Sequence, residues 1–153
     1  MEKVVRINFS EKGQEAVKPL YAMGKYLKNS DIEATLQELI KIRVSQINGC
    51  AFCLDMHWKD ARALGETEQR LYGLSVWNES PYYSERERAG LLWAEAVTIC
   101  DVPDEVYAET SKYFSEKELI DLTMAVNLIN VWNRLNIPFS KDNVGTYKAG
   151  QYD

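Results

Sequence analysis

The chain is poor in metal and disulfide chemistry: it has one histidine, His57, and three cysteines, Cys50, Cys53 and Cys100. Three cysteines in 153 residues do not make the disulfide framework of a small secreted domain. A structural zinc site wants four ligands, and no second Cys/His pair exists to complete one. No apolar run reaches the length of a membrane span. No Lys/Arg cluster is present and the net charge is −5, which argues against a nucleic-acid or anionic-membrane surface. The start, Met1-Glu2-Lys3-Val4-Val5-Arg6-Ile7-Asn8, lacks the apolar stretch and cleavage site of a signal peptide, so the expected location is the cytoplasm. Internal repeats, low-complexity segments and domain linkers are also missing, and the whole of 1–153 reads as a single domain.

What is there is an ordinary globular balance, 46% hydrophobic and 27% charged, patterned for helices. Ser30-x-x-Glu33, Ser84-x-x-Glu87 and Ser115-x-x-Glu118 each have the capping-box form, in which hydroxyl and carboxylate satisfy exposed N–H groups reciprocally. From Ser30 an apolar stripe runs through Ile32, Leu36, Leu39/Ile40, Val44 and Ile47 before Asn48-Gly49 breaks it. The next helix is expected from Cys50 to Leu64, with Gly65 as its C-terminal cap. Further helices are predicted over 11–28, 68–77, 84–100, 103–114 and 116–136, with Pro103 suited to a first helical position. The expected fold is therefore an all-α, single-domain bundle of roughly six to seven helices.

The 116–136 helix is apolar on more than one face, which predicts a central or inter-subunit position and a chain that self-associates. Within it, Asn127, Asn130 and Asn133 recur every third residue and read as a polar ladder facing the core or an interface. Val4-Val5-Arg6-Ile7 is the one short strand candidate, and Cys100, at the end of the apolar run from Leu91, reads as a small buried hydrophobe.

The chemistry concentrates in Gly49-Cys50-Ala51-Phe52-Cys53 and the His57 that follows. On a helix Cys50, Cys53 and His57 stand at i, i+3 and i+7 and share one face with Ala61 and Leu64. Residues three apart on a helix are within reach of disulfide geometry. Cys50 at the helix N-terminus feels the positive end of the dipole, which favours thiolate. His57, one turn beyond Cys53, fits a proton carrier for that thiol. By spacing alone three readings stay open: a redox dithiol, a zinc clip using Cys50, Cys53 and His57 with Asp55 or Asp60 or a neighbouring subunit, and inert packing. Trp58 and Asp55 read as packing and surface residues. Glu38 falls opposite the main stripe of its helix, the place of a solvated carboxylate.

The stretch from Glu38 to Gly65 resembles the alkylhydroperoxidase AhpD core, within the carboxymuconolactone decarboxylase superfamily. It matches Glu-x11-Cys-x2-Cys-x3-His in full spacing, with the flanking Ile47-Asn48-Gly49-Cys50 and the later Ala61-Arg62-Ala63-Leu64-Gly65. The run Asn130-Val131-Trp132-Asn133-Arg134-Leu135-Asn136 is similar to the single-domain helical members. The resemblance implies a thiol peroxidase in which Cys53 is the thiolate that attacks a small (alkyl) hydroperoxide. Cys50 then resolves the sulfenic acid into a disulfide, and Glu38 and His57 relay protons. It implies no organic or metal cofactor, an external dithiol as electron donor, and a homo-oligomer. The chain departs from the well-studied peroxidases of the family at Phe52, where they carry a further histidine. The shorter relay leaves a general disulfide reductase as a second expectation. A lyase of the decarboxylase branch is a third, although that reaction has no evident use for a dithiol.

Overall fold

The computed structural model describes residues 4–140 and 142–152. Among these it contains eight α-helices, one 3₁₀ segment and no strand. The helices are α1 (Phe9–Lys12), α2 (Gln14–Lys28), α3 (Ala34–Asn48), α4 (Ala51–Ala63), α5 (Glu68–Gly73), α6 (Glu85–Thr98), α7 (Asp104–Thr110) and α8 (Glu116–Phe139), with the 3₁₀ turn at Leu74–Glu79 after α5. The all-α expectation holds. The number is higher than expected because Gly13 sets off a single preceding turn as α1. The 68–77 helix also breaks at Val76, whose φ of −127° is not helical.

Two of the three capping boxes form. Ser84 and Ser115 each accept from the backbone of Glu87 and Glu118, whose carboxylates accept in return from the serine N–H groups. The third does not. Ser30 Oγ instead donates to Leu27 O at 2.7 Å, closing the end of α2, and α3 starts only at Ala34. Glu33 spends its carboxylate on Arg86, 2.8 Å away, and buried Gln37 ties the turn by donating to Leu27 O and Ile32 O. Helix α7 starts after Pro103 and stops at Thr110, short of 114, because the chain turns there to bury Phe114. Residues 4–7 form no strand. Arg6 and Ile7 donate their backbone N–H groups to Phe139 O, so this segment satisfies a carbonyl at the C-terminal end of α8.

Helix α3 lies at the centre, packed by α4, α6 and α8. Its Leu36, Ile40 and Val44 join Trp93 of α6 and Leu122, Val126 and Ile129 of α8 in one core cluster. Its Leu39 and Ile42 join Ala61, Leu71, Leu74 and Leu91 in a second. A helix covered on both sides has little solvent face left, and this decides the fate of Glu38. Helix α8 buries Leu119, Leu122, Ala125, Val126 and Ile129 as expected, but leaves Ile120 65% exposed.

Candidate redox site

The site begins where α3 ends. Gly49 takes φ +70°, the left-handed conformation that costs glycine nothing. The N–H of Cys50 then bonds back to Ser45 O at 3.0 Å and that of Gly49 to Gln46 O at 3.3 Å, closing the helix as a Schellman motif. Cys50 is at once the residue that completes this motif and the N-cap of α4. The break that the sequence shows as Asn48-Gly49 therefore fixes the first cysteine directly. Gly65, at φ +93°, ends α4 in the expected place.

Cys50 and Cys53 lie at disulfide distance, with their Cα atoms 5.4 Å apart, inside the ordinary range for a disulfide. Both are buried, 3% and 2% exposed, so accessibility does not distinguish them. Phe52 between them is also buried.

His57 follows on the same helix, buried, and its Nδ1 lies 2.9 Å from Glu38 Oε2. An ionised carboxylate can only accept, so this contact keeps the imidazole hydrogen on Nδ1 and leaves Nε2 for other chemistry. Glu38 is not the solvated carboxylate its helical wheel implies. It is 7% exposed, because α4 covers the side of α3 away from the main stripe. Burial pushes its pKa up, but the charge and hydrogen bond of His57, followed by the Lys41 ammonium 2.6 Å away, outweigh burial and hold it at about 2.

One turn further along α4, Asp60 brings a carboxylate oxygen within 4.8 Å of Glu38 and His57 ligand atoms. The Tyr147 hydroxyl donates to it at 2.9 Å and the Gly150 N–H at 3.2 Å. Burial raises the Asp60 pKa against these hydrogen bonds, and burial followed by the Asp60 contact raises that of Tyr147. The C-terminal segment thus straps α4. Lys59 donates to Gly145 O and Tyr147 O, and Asp55 accepts from Gly145 N–H and from Lys59. Asp55 therefore does more than face solvent.

Glu38, His57 and Asp60 form a grouping that could hold a cation, and it includes neither cysteine. The zinc clip built on Cys50, Cys53 and His57 is not the arrangement formed: the sulfurs face each other, and Nδ1 of His57 is engaged by Glu38. A cleft of about 300 Å³ lined by Arg43, Ser75, Trp77, Asn78, Leu92 and Glu95 shares no residue with the dithiol site.

Helix α8 closes the site from the other side. Asn48, next to the break, donates to Asn130 Oδ1 and Asn133 Oδ1, both at 2.9 Å, and Asn133 donates to Ser45 Oγ. The ladder is real but shifted by one rung. Asn127 is exposed, while Asn136, one step beyond the expected series, reaches Cys53. The same i+3 spacing, continued by three residues, was the signal for it. Asp60 enters the sequence reading only as a carboxylate for the zinc clip, and Tyr147 had no signal, since 87 residues separate the two.

Cys100 departs from its expected place. It is exposed and free, at φ +58°. Its N–H bonds to Val97 O and that of Asp101 to Ala96 O, so it occupies the left-handed position of a Schellman motif ending α6 and points away from the core.

An all-helical fold whose central helix breaks into a dithiol, backed by a buried carboxylate–imidazole pair, defines an AhpD-like domain. Residues 14–96 match the carboxymuconolactone decarboxylase family, and the chain belongs to that family. It is 48% identical over 135 residues to the uncharacterised protein YdfG of Bacillus subtilis (strain 168), covering 86% of this chain and 92% of that one. An Agrobacterium tumefaciens protein of unknown function, related by its description to the antioxidant defence protein AhpD, superposes with a TM-score of 0.86 at 42% identity. That match covers 91% of this chain and 97% of the other. The debrominase Bmp8 shares the fold at a TM-score of 0.78 and 21% identity, over 86% of this chain and 73% of its own. Among the described residues no helix is long and apolar enough to cross a membrane.

Proposed function

We propose that the protein is a thiol-dependent peroxidase that reduces small hydroperoxides through Cys53 and Cys50. The observation that carries this is the pairing of two buried cysteines at disulfide distance with the buried His57, one turn along the same helix and held by Glu38 of α3. Cys53 as thiolate attacks the O–O bond, taking one oxygen as a sulfenic acid and expelling an alkoxide that accepts a proton and leaves as the alcohol. The Cys50 thiolate then attacks the Cys53 sulfur, and hydroxide leaves as water once protonated, closing the disulfide. An external dithiol returns the two electrons. His57 carries the protons, with its tautomer set by Glu38.

Peroxide consumption by reduced single-cysteine variants tests this. Cys50→Ser reacts once and stops at a sulfenic acid trapped by dimedone, and Cys53→Ser does not react. His57→Ala slows the first step by roughly the 10²–10⁴-fold of a lost acid–base group. Consumption by Cys53→Ser at the wild-type single-turnover rate would reverse the roles. Wild-type behaviour of both cysteine variants would end the peroxidase reading.

Phe52 favours a second reading. An apolar residue where peroxidases of the family carry a histidine suits a general disulfide reductase, which needs the same dithiol but no proton delivery to an alkoxide. Turnover of a small disulfide in preference to hydroperoxide decides for it. The proposal includes self-association through exposed apolar residues of α8 such as Ile120, Val131 and Ile137. A light-scattering mass above 17.6 kDa at micromolar concentration supports it, and a monomer mass refutes it.

A further inference from the structure

We infer that Asn136 is a positioning residue that donates a hydrogen bond to the Cys53 thiolate and sets its acidity. Its Nδ2 lies 3.7 Å from Cys53 Sγ, within hydrogen-bond range for sulfur, and 3.0 Å from Trp132 O. The second contact fixes the first. Were the amide turned over, its oxygen would face the Trp132 carbonyl oxygen, two acceptors at donor–acceptor distance, so the nitrogen must take this position. Of its two hydrogens one serves Trp132 O and the other is directed at sulfur. A donor that meets the charged form of an acid favours that form.

The placement is stiff as well as close. Asn136 stands one helical step beyond Asn133 and Asn130, which Asn48 grips from the end of α3, so α8 is registered against the residues that carry the dithiol. The bond also separates two thiols that burial leaves alike. Cys50 holds the N-cap of α4 and Cys53 is its third helical residue, and the amide of Asn136 donates to Cys53. A weak neutral donor counts for little against a thiol or a disulfide sulfur and for more against a thiolate. Asn136 therefore lowers the Cys53 pKa and stabilises the reduced, ionised site relative to the disulfide.

The inference rests on the reading of Cys53 as the working thiolate, but its test needs no peroxide. With Cys50 and Cys100 replaced by serine, Cys53 is the sole thiol, and the pH dependence of its alkylation by iodoacetamide gives its pKa. Asn136→Leu is expected to raise that pKa by about one unit, tenfold less thiolate at a fixed lower pH. Asn136→Asp, nearly isosteric but anionic, raises it further, and Asn136→Gln, which keeps the amide, restores part of the shift. In the two-cysteine protein, equilibrium with dithiothreitol moves several-fold toward the disulfide in Asn136→Leu. A purely structural role would lower the melting temperature and leave the pH profile in place. If Asn136→Leu does not fold, Asn136→Ala, which removes the donor without adding a charge, carries the test alone. A Cys53 pKa unmoved beyond about 0.3 unit in the folded variants overturns the inference, even where peroxide turnover is intact. A shifted pKa without peroxidase activity leaves it standing and removes only the peroxidase reading.

Discussion

Replacing Glu38 by glutamine should remove a pH-dependent part of the protein's stability, and the structure gives its size and sign. The carboxylate is buried, accepts from His57 and Lys41, and is held at about 2 against an ordinary 4.5. In the unfolded chain it takes up a proton near 4.5, whereas in the folded protein it resists until about 2. Between those values the unfolded state binds more protons, so stability falls as pH falls. The contribution is complete above about pH 5.5, is lost through the window from 4.5 to 2, and is gone below it. At 1.36 kcal/mol per pH unit the displacement amounts to about 3 kcal/mol. Urea denaturation of wild type and Glu38→Gln, followed by tryptophan fluorescence from pH 7 to pH 2.5, measures it. Glutamine still accepts from Nδ1–H, so the neutral-pH gap should be somewhat below 3 kcal/mol, and the two curves should converge on acidification. Glu118 is also held at about 2, by the Ser115 N–H and then Arg86, but it is present in both proteins and cancels in the difference. A gap that stays constant from pH 7 to pH 3 would refute the assignment of Glu38 as a buried carboxylate stabilised by His57 and Lys41.

Three further outcomes follow from other parts of the chain. Gly49→Ala meets no atom within 4 Å, so its cost is that of forcing φ +70° on alanine, about 1–2 kcal/mol by thermal melting; an unchanged melting temperature would contradict the left-handed turn. Cys100→Gly places glycine where φ is +58° and should stabilise by about 0.5–1 kcal/mol while leaving dithiol titration untouched; destabilisation would count against that backbone. Tyr147→Phe removes a hydrogen bond to the half-buried Asp60, costing about 1–2 kcal/mol and loosening residues 142–152 toward hydrogen exchange; exchange identical to wild type would show that the strap does not depend on it.

The parts of this protein that the sequence announces are those governed by neighbours in the chain. Cys50, Cys53 and His57 share a face because a helix repeats every 3.6 residues, and Gly49 and Gly65 punctuate that helix because each sits where φ is positive. The capping boxes at Ser84 and Ser115 are closed within four residues. Ser30 had the same spelling and failed, because Glu33 found Arg86, 53 residues away, a better partner. Glu38 was misplaced for a related reason. A helical wheel assumes one buried face, and α3 is enclosed by two core clusters. Cys100 reads as core from the apolar run before it, yet the Schellman turn at the end of α6 carries it outward. Asn136 continues the three-residue spacing of Asn130 and Asn133, whereas the Tyr147–Asp60 contact depends on how the C-terminal segment returns to α4, which no local pattern encodes.

These long-range contacts divide the labour around one sulfur. Cys50 is held by the end of α3, so its Cα stays 5.4 Å from that of Cys53, and closing the disulfide needs no large movement of the chain. His57 is held by Glu38, which belongs to α3, so His57 and Cys50, the proposed proton carrier and resolving cysteine, are both fixed by the same central helix. Asn136 comes from α8, registered on that helix by Asn48. Each group around Cys53 is thus referenced to α3, whose packing by α4, α6 and α8 leaves it least free to move. The proposed reaction needs a thiolate, a proton carrier and a second sulfur close together, and a common reference helix serves that need. Phe52 adds nothing to that set. Its side chain is buried and carries no proton to give, so the proposed reaction leaves proton transfer to His57.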